Sequence, residues 1–400
     1  MQMNHLLDNQ SAAISKLCTY KVGALFMEPG TGKTRTACEL IKSVKNIDSV
    51  FWFTPCQTIH NLYNEIQLFG SLDNLNIIGI ESISQSDRIY LETLNDISKC
   101  TNPFIVCDES LKIKNISAIR TQRFLELSKN VEYKLILNGT PLSKNLLDLW
   151  SQFEFLSPKI LNMPLIQFKN TFCEYTTLTK RKGNQKIVRE WINAYHNVEY
   201  LYSLIKHYVY ECDLSIEIQK QYFNNDYTID EDARIEYEKL KEYFLNEETL
   251  FTKNNNIFLE LTQKMQHCYS CSKEKFDIVK RILKTQSPEN TLIYCKYIAS
   301  SESVKTQFPN TKVMTYGKHA YGLNLQNYNA IIFFDKTWDY AQRTQTEFRI
   351  FRTGQKENCK YYDLSGDVPL ETLMNDNINK KQNLLQYLKK LTIEELKEVL

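Results

Sequence analysis

The stretch that decides the fold is Phe26–Ile41, FMEPGTGKTRTACELI. Just before and into it, Val22-Gly23-Ala24-Leu25-Phe26-Met27 is an apolar run of the kind buried on both faces of a parallel sheet. From Lys33 onward the apolar positions take a helical period. Pro29, Gly30 and Gly32 stand between strand and helix, where backbone N–H groups can close on an anion at the positive end of the helix. In such a loop Lys33 reaches β- and γ-phosphates and the Thr34 hydroxyl suits Mg2+, as part of Mg-ATP. Gly30, Thr31, Gly32, Lys33 and Thr34 are therefore the candidate phosphate-binding residues. The full G-x-x-x-x-G-K-[ST] pattern is not met, because Met27 holds the place of the first glycine. A chance Gly-rich turn is the competing reading, and the flanking strand and helix argue against it.

Outward from this loop the same rhythm repeats. SVFWFTP, NIIGI, FIVCDES and YKLILNGTP read as further buried strands, with amphipathic stretches such as QTIHNLYNEIQLF between them. Alternating strands and helices predict an α/β fold with a doubly wound parallel sheet. The first lobe is expected over residues 1–158, closed by the helix LLDLWSQFEFLSP. Residues 159–285 break the rhythm and are expected as a mainly helical insertion, with RKGNQKIVREWINAYHN as a hairpin or loop. The rhythm resumes in NTLIYCKY, TKVMTY, AIIFFD and CKYYDL, which predicts a second α/β lobe over 286–400 ending in an amphipathic helix.

The chain has 400 residues, enough for two or three cores, with 42% hydrophobic and 24% charged residues. A net charge of +2 excludes a global basic field, so any nucleic-acid groove must come from local charge. Eleven cysteines, odd in number and mostly in apolar runs, read as reduced thiols of a cytoplasmic protein. The N-terminus lacks the pattern of a signal peptide, and no apolar run reaches membrane-spanning length, so no membrane association is expected.

Asp108-Glu109 ends the strand FIVCDES, at the edge where ligands bind in parallel sheets. Asp108 is the candidate Mg2+ ligand and Glu109 the group that polarises the attacking water; a helix N-cap with an acidic first turn is the alternative. In QTEFRIFRTGQ, Gln345, Arg349 and Arg352 are spaced by four and three, which places them on one face if the segment is helical. Such a face suits a phosphate, or is simply solvated. Cys268-x-x-Cys271 beside His267 lacks a second ligand pair nearby and reads as part of a helix leading to Lys275. Of the 24 Tyr and 20 Phe, most are expected in the core.

Together these pieces resemble the SWI/SNF-related ATPases of helicase superfamily 2, over nearly the whole chain. EPGTGKT matches motif I, FWFTPCQTIHNLYNEIQLF resembles motif Ia, and DESLKIKN resembles motif II. LNGTPLSKNLLDLWSQFEFLSP is a close match to motif III, TLIYCKY looks like motif IV, GLNLQ like the end of motif V, and QTEFRIFRTGQ like motif VI. The resemblance implies two tandem RecA-like (P-loop NTPase) lobes. It implies Gln10 as the adenine-reading glutamine, Arg349 and Arg352 as arginine fingers, and Gln345 beside the nucleotide. It makes Thr54, Gln57, Thr140, Gly322 and Asn324 candidate nucleic-acid contacts, with Thr140 coupling them to the ATP site. Two positions depart from the family: Leu111 stands where motif II usually has His, and His319-Ala320 where motif V usually has a Gly-Gly pair.

The expected function is a nucleic-acid-stimulated ATPase using ATP and Mg2+, coupling hydrolysis to lobe closure and movement along double-stranded DNA. An RNA helicase or remodeller, and an ATP-gated DNA-binding module with little turnover, are the alternatives. The absence of obvious accessory domains suggests a compact bacterial, phage or viral member.

Overall fold

The computed structural model describes residues 5–139, 146–182, 185–245, 263–316, 325–337, 340–352, 354–368, 370–371 and 374–375. Thr140, His319-Ala320, Gly322, Asn324 and most of the expected terminal helix lie outside these residues. The chain divides into two compact units, with the break between Leu214 and Ser215. Among the described residues no helix is long and apolar enough to cross a membrane.

The first unit is built on a six-stranded parallel sheet. Its strands are β1 (Val22–Met27), β2 (Ser49–Thr54), β3 (Leu75–Gly79), β4 (Pro103–Asp108), β5 (Tyr133–Asn138) and β8 (Val209–Cys212), in the order β3-β2-β4-β5-β1-β8. Successive side chains of a strand point to opposite faces. Ala24, Phe26, Phe51, Phe53, Ile105 and Ile136 accordingly enter one apolar cluster. Their neighbours Leu25, Met27, Val50, Trp52, Val106 and Leu135 enter another. Both faces are covered, which is why these strands read as unbroken apolar runs. Because all six strands run the same way, Met27, Thr54, Asp108 and Asn138 end on one edge.

The second unit carries a five-stranded parallel sheet. Its strands are β9 (Lys220–Tyr227), β10 (Thr291–Cys295), β11 (Lys312–Thr315), β12 (Ala330–Phe333) and β13 (Cys359–Gly366), ordered β11-β10-β12-β13-β9. Ile293, Cys295, Ala330 and Ile332 pack into an apolar cluster. Tyr294 and Phe333, of alternate register on the same strands, form with Tyr361 of β13 a chain of tilted and stacked rings.

The span 159–285, set apart by its pattern, is not helical throughout. It opens with the helices Pro158–Leu161 and Leu165–Phe172, then forms an antiparallel hairpin of β6 (Cys173–Lys182) and β7 (Gln185–Tyr195). It then gives β8 to the first sheet and β9 to the second. The unit break falls inside this span, in the short connection between those two strands.

Candidate nucleotide site

The loop after β1 is shaped by two glycines. Gly30 and Gly32 both have φ of 89°, the left-handed region that side chains rarely adopt. Gly32 caps the helix Lys33–Ser43, and a Cβ on it would lie 2.0 Å from Gln10 Nε2. Thr31 is buried; its hydroxyl donates to the Glu28 carbonyl at 2.7 Å. Lys33 Nζ donates to the Met27 carbonyl at 2.7 Å. Burial lowers the Lys33 pKa, against the opposing charges of Glu109 and Asp108. Thr34 is the second residue of the helix, two residues after the capping Gly32.

Gln10, expected to read adenine, is 3% exposed and is engaged within the protein. Its Oε1 accepts from Leu7 N at 3.1 Å and its Nε2 donates to the Thr31 carbonyl at 3.2 Å. It thus caps the helix Asp8–Leu17 and braces the loop at once, with one amide proton and one oxygen lone pair beyond these two bonds.

β4 delivers Asp108 and Glu109 to the same edge. Asp108 Oδ1 accepts from Glu109 N at 3.0 Å, and Oδ2 lies 3.3 Å from Thr54 Oγ1. Burial, and then the Glu109 charge, push the Asp108 carboxyl up to about 7, while Lys33 pulls it down. Glu109 has φ of 52°, a left-handed backbone in a residue with a Cβ, which costs roughly 1–2 kcal/mol. Strain of this kind is retained where the surrounding structure holds a functional side chain. Gly139 closes the site from the end of β5: a Cβ there would lie 3.0 Å from Pro29 Cδ and 3.8 Å from Lys33 Nζ.

Thr54, which the resemblance implies as a nucleic-acid contact, is fully buried, and its hydroxyl contacts Asp108 and Thr58. β2 ends at Thr54 with its side chain turned into the sheet edge, and it is Gln57, in the 3₁₀ turn Cys56–Thr58, that is exposed.

Several supporting residues were not singled out in the sequence. Ser110 Oγ donates to Gln152 Oε1 at 2.6 Å, and Gln152 Nε2 donates to the Asp148 carbonyl at 2.7 Å. These bonds tie the segment after Glu109 to the helix Leu147–Leu156. Glu81 accepts from Cys56 N at 2.9 Å and from Lys112 Nζ at 3.2 Å, joining motif II to the turn that bears Gln57. Gln152 lies in the quoted motif III string; Glu81 follows NIIGI with no local signal.

In the second unit the helix Tyr340–Glu347 carries Gln345 but ends before the arginines. Arg349 and Arg352 lie in the turns that follow, so the expected single helical face is not how they are presented. Arg349 N donates to the Thr346 carbonyl at 3.1 Å, and its own carbonyl accepts from Leu325 N at 3.2 Å. Arg343, not singled out in the sequence, anchors this segment. Its guanidinium lies 3.3 Å from the Phe333 ring centroid and pairs with Glu347 at 2.8 Å and with Asp363. Among the described residues no three His, Cys, Asp or Glu side chains, Cys268 and Cys271 included, converge as a metal cluster.

The residues of the first unit fit a magnesium-nucleotide. Glycines set the loop for backbone approach, and Lys33 supplies charge at its foot. A hydroxyl and a buried carboxylate are hard oxygen donors of the type Mg2+ takes. Burial beside Glu109 makes Asp108 a carboxylate that gains from a nearby cation.

A family model described as the SNF2-related domain matches residues 13–297. An uncharacterized ATP-dependent helicase of Mycoplasma pneumoniae is 24% identical over 94% of this chain and 42% of its own length. Another from Mycoplasma genitalium is 24% identical over 84% of this chain and 34% of its own. The chain therefore spans less than half the length of both relatives. The SWI2/SNF2 ATPase core of Sulfolobus solfataricus in complex with dsDNA covers 99% of this chain and 97% of its own, at 17% identity and a TM-score of 0.43.

Proposed function

This chain belongs to the SNF2-related family, and on that premise we propose that it is a nucleic-acid-stimulated ATP hydrolase that moves along double-stranded DNA. The observation that carries the hydrolase reading is the meeting of the Gly30–Gly32 loop, Lys33, Asp108 and Glu109 at one sheet edge. Lys33 neutralises the β/γ-phosphates. Glu109 orients the attacking water and takes its proton. Asp108 and Thr34 would hold Mg2+, which supplies further charge neutralisation on the phosphates. Arg349 and Arg352 of the second unit stabilise charge on the transferred phosphoryl group. The uncharacterized mycoplasma relatives, named as ATP-dependent helicases, support ATP use. The choice of duplex DNA rests on the motif resemblance, with exposed Gln57 as its nearest support in the first unit.

The test is steady-state ATP hydrolysis with duplex DNA, single-stranded DNA or RNA. Greatest stimulation by duplex DNA is expected. Greatest stimulation by RNA assigns the protein to RNA remodelling instead. ATP binding without any stimulated turnover makes it a nucleotide-gated binding module, a reading that Leu111 in motif II favours.

A further inference from the structure

Two threonine hydroxyls join Asp108 to the turn that carries Gln57. Thr54 Oγ1 lies 2.7 Å from Thr58 Oγ1 and 3.3 Å from Asp108 Oδ2. Thr58 Oγ1 lies 2.7 Å from the Pro55 carbonyl oxygen. Each hydroxyl carries a single proton, so two protons serve three contacts. In one arrangement Thr58 donates to Thr54 and Thr54 to Asp108. In the other, Thr54 donates to Thr58 and Thr58 to Pro55. The Asp108 contact is long for an O–H···O bond and the other two are ordinary, so the distances favour the second arrangement. The exchange leaves the Pro55 carbonyl satisfied, since Thr58 N donates to it at 2.8 Å in either case.

The turn is also held firmly from its other side. Glu81 accepts from Cys56 N at 2.9 Å, and a Cβ on Gly79 would lie 2.2 Å from Cys56 Sγ. A load on exposed Gln57 therefore reaches Thr58 through a turn with little room to deform.

We infer that Thr54 and Thr58 are positioning residues that form a two-state hydroxyl relay, setting the orientation of Asp108 according to what occupies the Gln57 turn. In the first arrangement the carboxylate is held by Thr54; in the second it is released and the turn holds its own protons. Linkage makes the effect reciprocal: nucleic acid that favours the first arrangement strengthens metal-nucleotide binding by the same factor that metal-nucleotide strengthens nucleic-acid binding. The inference rests on the proposed function, which places the metal at Asp108 and nucleic acid at the turn.

The test is equilibrium binding of a fluorescent ATP analogue to the full chain across a Mg2+ titration, with and without duplex DNA. For the parent, duplex DNA is expected to lower the half-saturating Mg2+ by at least about fivefold, the lower end of ordinary coupling between sites. Thr54→Val and Thr58→Val are expected to abolish that shift, and Thr54→Ser, which keeps the hydroxyl, to retain it. If Thr54→Val fails to fold, Thr58→Val at a partly exposed position decides. A full DNA-dependent shift in Thr58→Val overturns the relay. A parent whose hydrolysis DNA stimulates but whose Mg2+ dependence DNA does not shift also overturns it, with the proposed function intact. A parent that hydrolyses ATP with no response to any nucleic acid overturns both.

Discussion

Asp108 and Glu109 are adjacent carboxylates, set apart by backbone and surroundings, to which the proposed function gives different tasks. Asp108 is buried, bonded to Glu109 N, and raised to about 7, whereas Glu109 projects from a left-handed backbone at φ 52°. Glu109→Gln preserves shape and removes the base, so ATP affinity is expected to persist while turnover stops, read by nucleotide binding beside single-turnover hydrolysis. Lys33→Ala is expected to lose both, because it removes the cation at the foot of the loop. The raised Asp108 pKa also predicts a pH-dependent stability in the nucleotide-free protein. A folded-state pKa above the unfolded one contributes stability that is complete below the ordinary carboxylate pKa and is lost as pH rises through about 7. Asp108→Asn, neutral at every pH, is therefore expected to raise the midpoint of thermal unfolding at pH 8, by roughly 2–4 °C for each kcal/mol relieved. That gain is expected to shrink toward pH 5. An equal gain at both pH values would show that the charge is not its source.

The phosphate loop is an element whose geometry depends on glycine and on a partner from the N-terminal helix. A methyl group on Gly32 meets both a φ of +89° and Gln10 Nε2 at 2.0 Å. Gly32→Ala is expected to displace Gln10 from the Thr31 carbonyl and weaken nucleotide binding by about tenfold or more, equivalent to ~1.4 kcal/mol. Adding Gln10→Ala removes the clash but leaves the left-handed backbone, so the double variant should not recover the parental affinity. Titration with a fluorescent ATP analogue measures both, and full recovery would locate the whole effect in the clash. Elsewhere, helix ends proved harder to read than helix positions. The spacing of Gln345, Arg349 and Arg352 fits a helical face, yet the helix stops at Glu347. Its last turn is committed instead to Arg343, which bridges Glu347 and Asp363 over Phe333.

Each of the two units has its own sheet and its own apolar clusters. The proposed function assigns phosphate-binding residues to one unit and transition-state arginines to the other, a division that makes turnover responsive to a ligand engaging both. Arginine fingers in phosphoryl transfer contribute roughly 10³–10⁵ in rate. Arg352→Ala is expected to lower single-turnover hydrolysis with saturating duplex DNA within that range, while changing ATP affinity much less. Loss of the folded state without a specific kinetic defect would make Arg352 a structural residue and remove this division of labour.

The residues of the candidate nucleotide site were legible from FMEPGTGKT and FIVCDES because their signals are local. A strand reads as an apolar run, a phosphate loop needs glycines between strand and helix, and the acidic pair follows directly from its strand. The parallel α/β class was legible for the same reason. Packing between distant segments decided the rest. Thr54 and Asp108 are 54 residues apart and meet only because β2 pairs with β4, so no window of sequence could assign the threonine to the carboxylate. Glu81 joins Cys56 to Lys112 by a similar route. β8 and β9 are rich in polar residues, and neither carries the apolar run of a central strand. Their membership of different sheets follows from which edges were open, at β1 and at β13, and an open edge exists only once the rest of each sheet has formed.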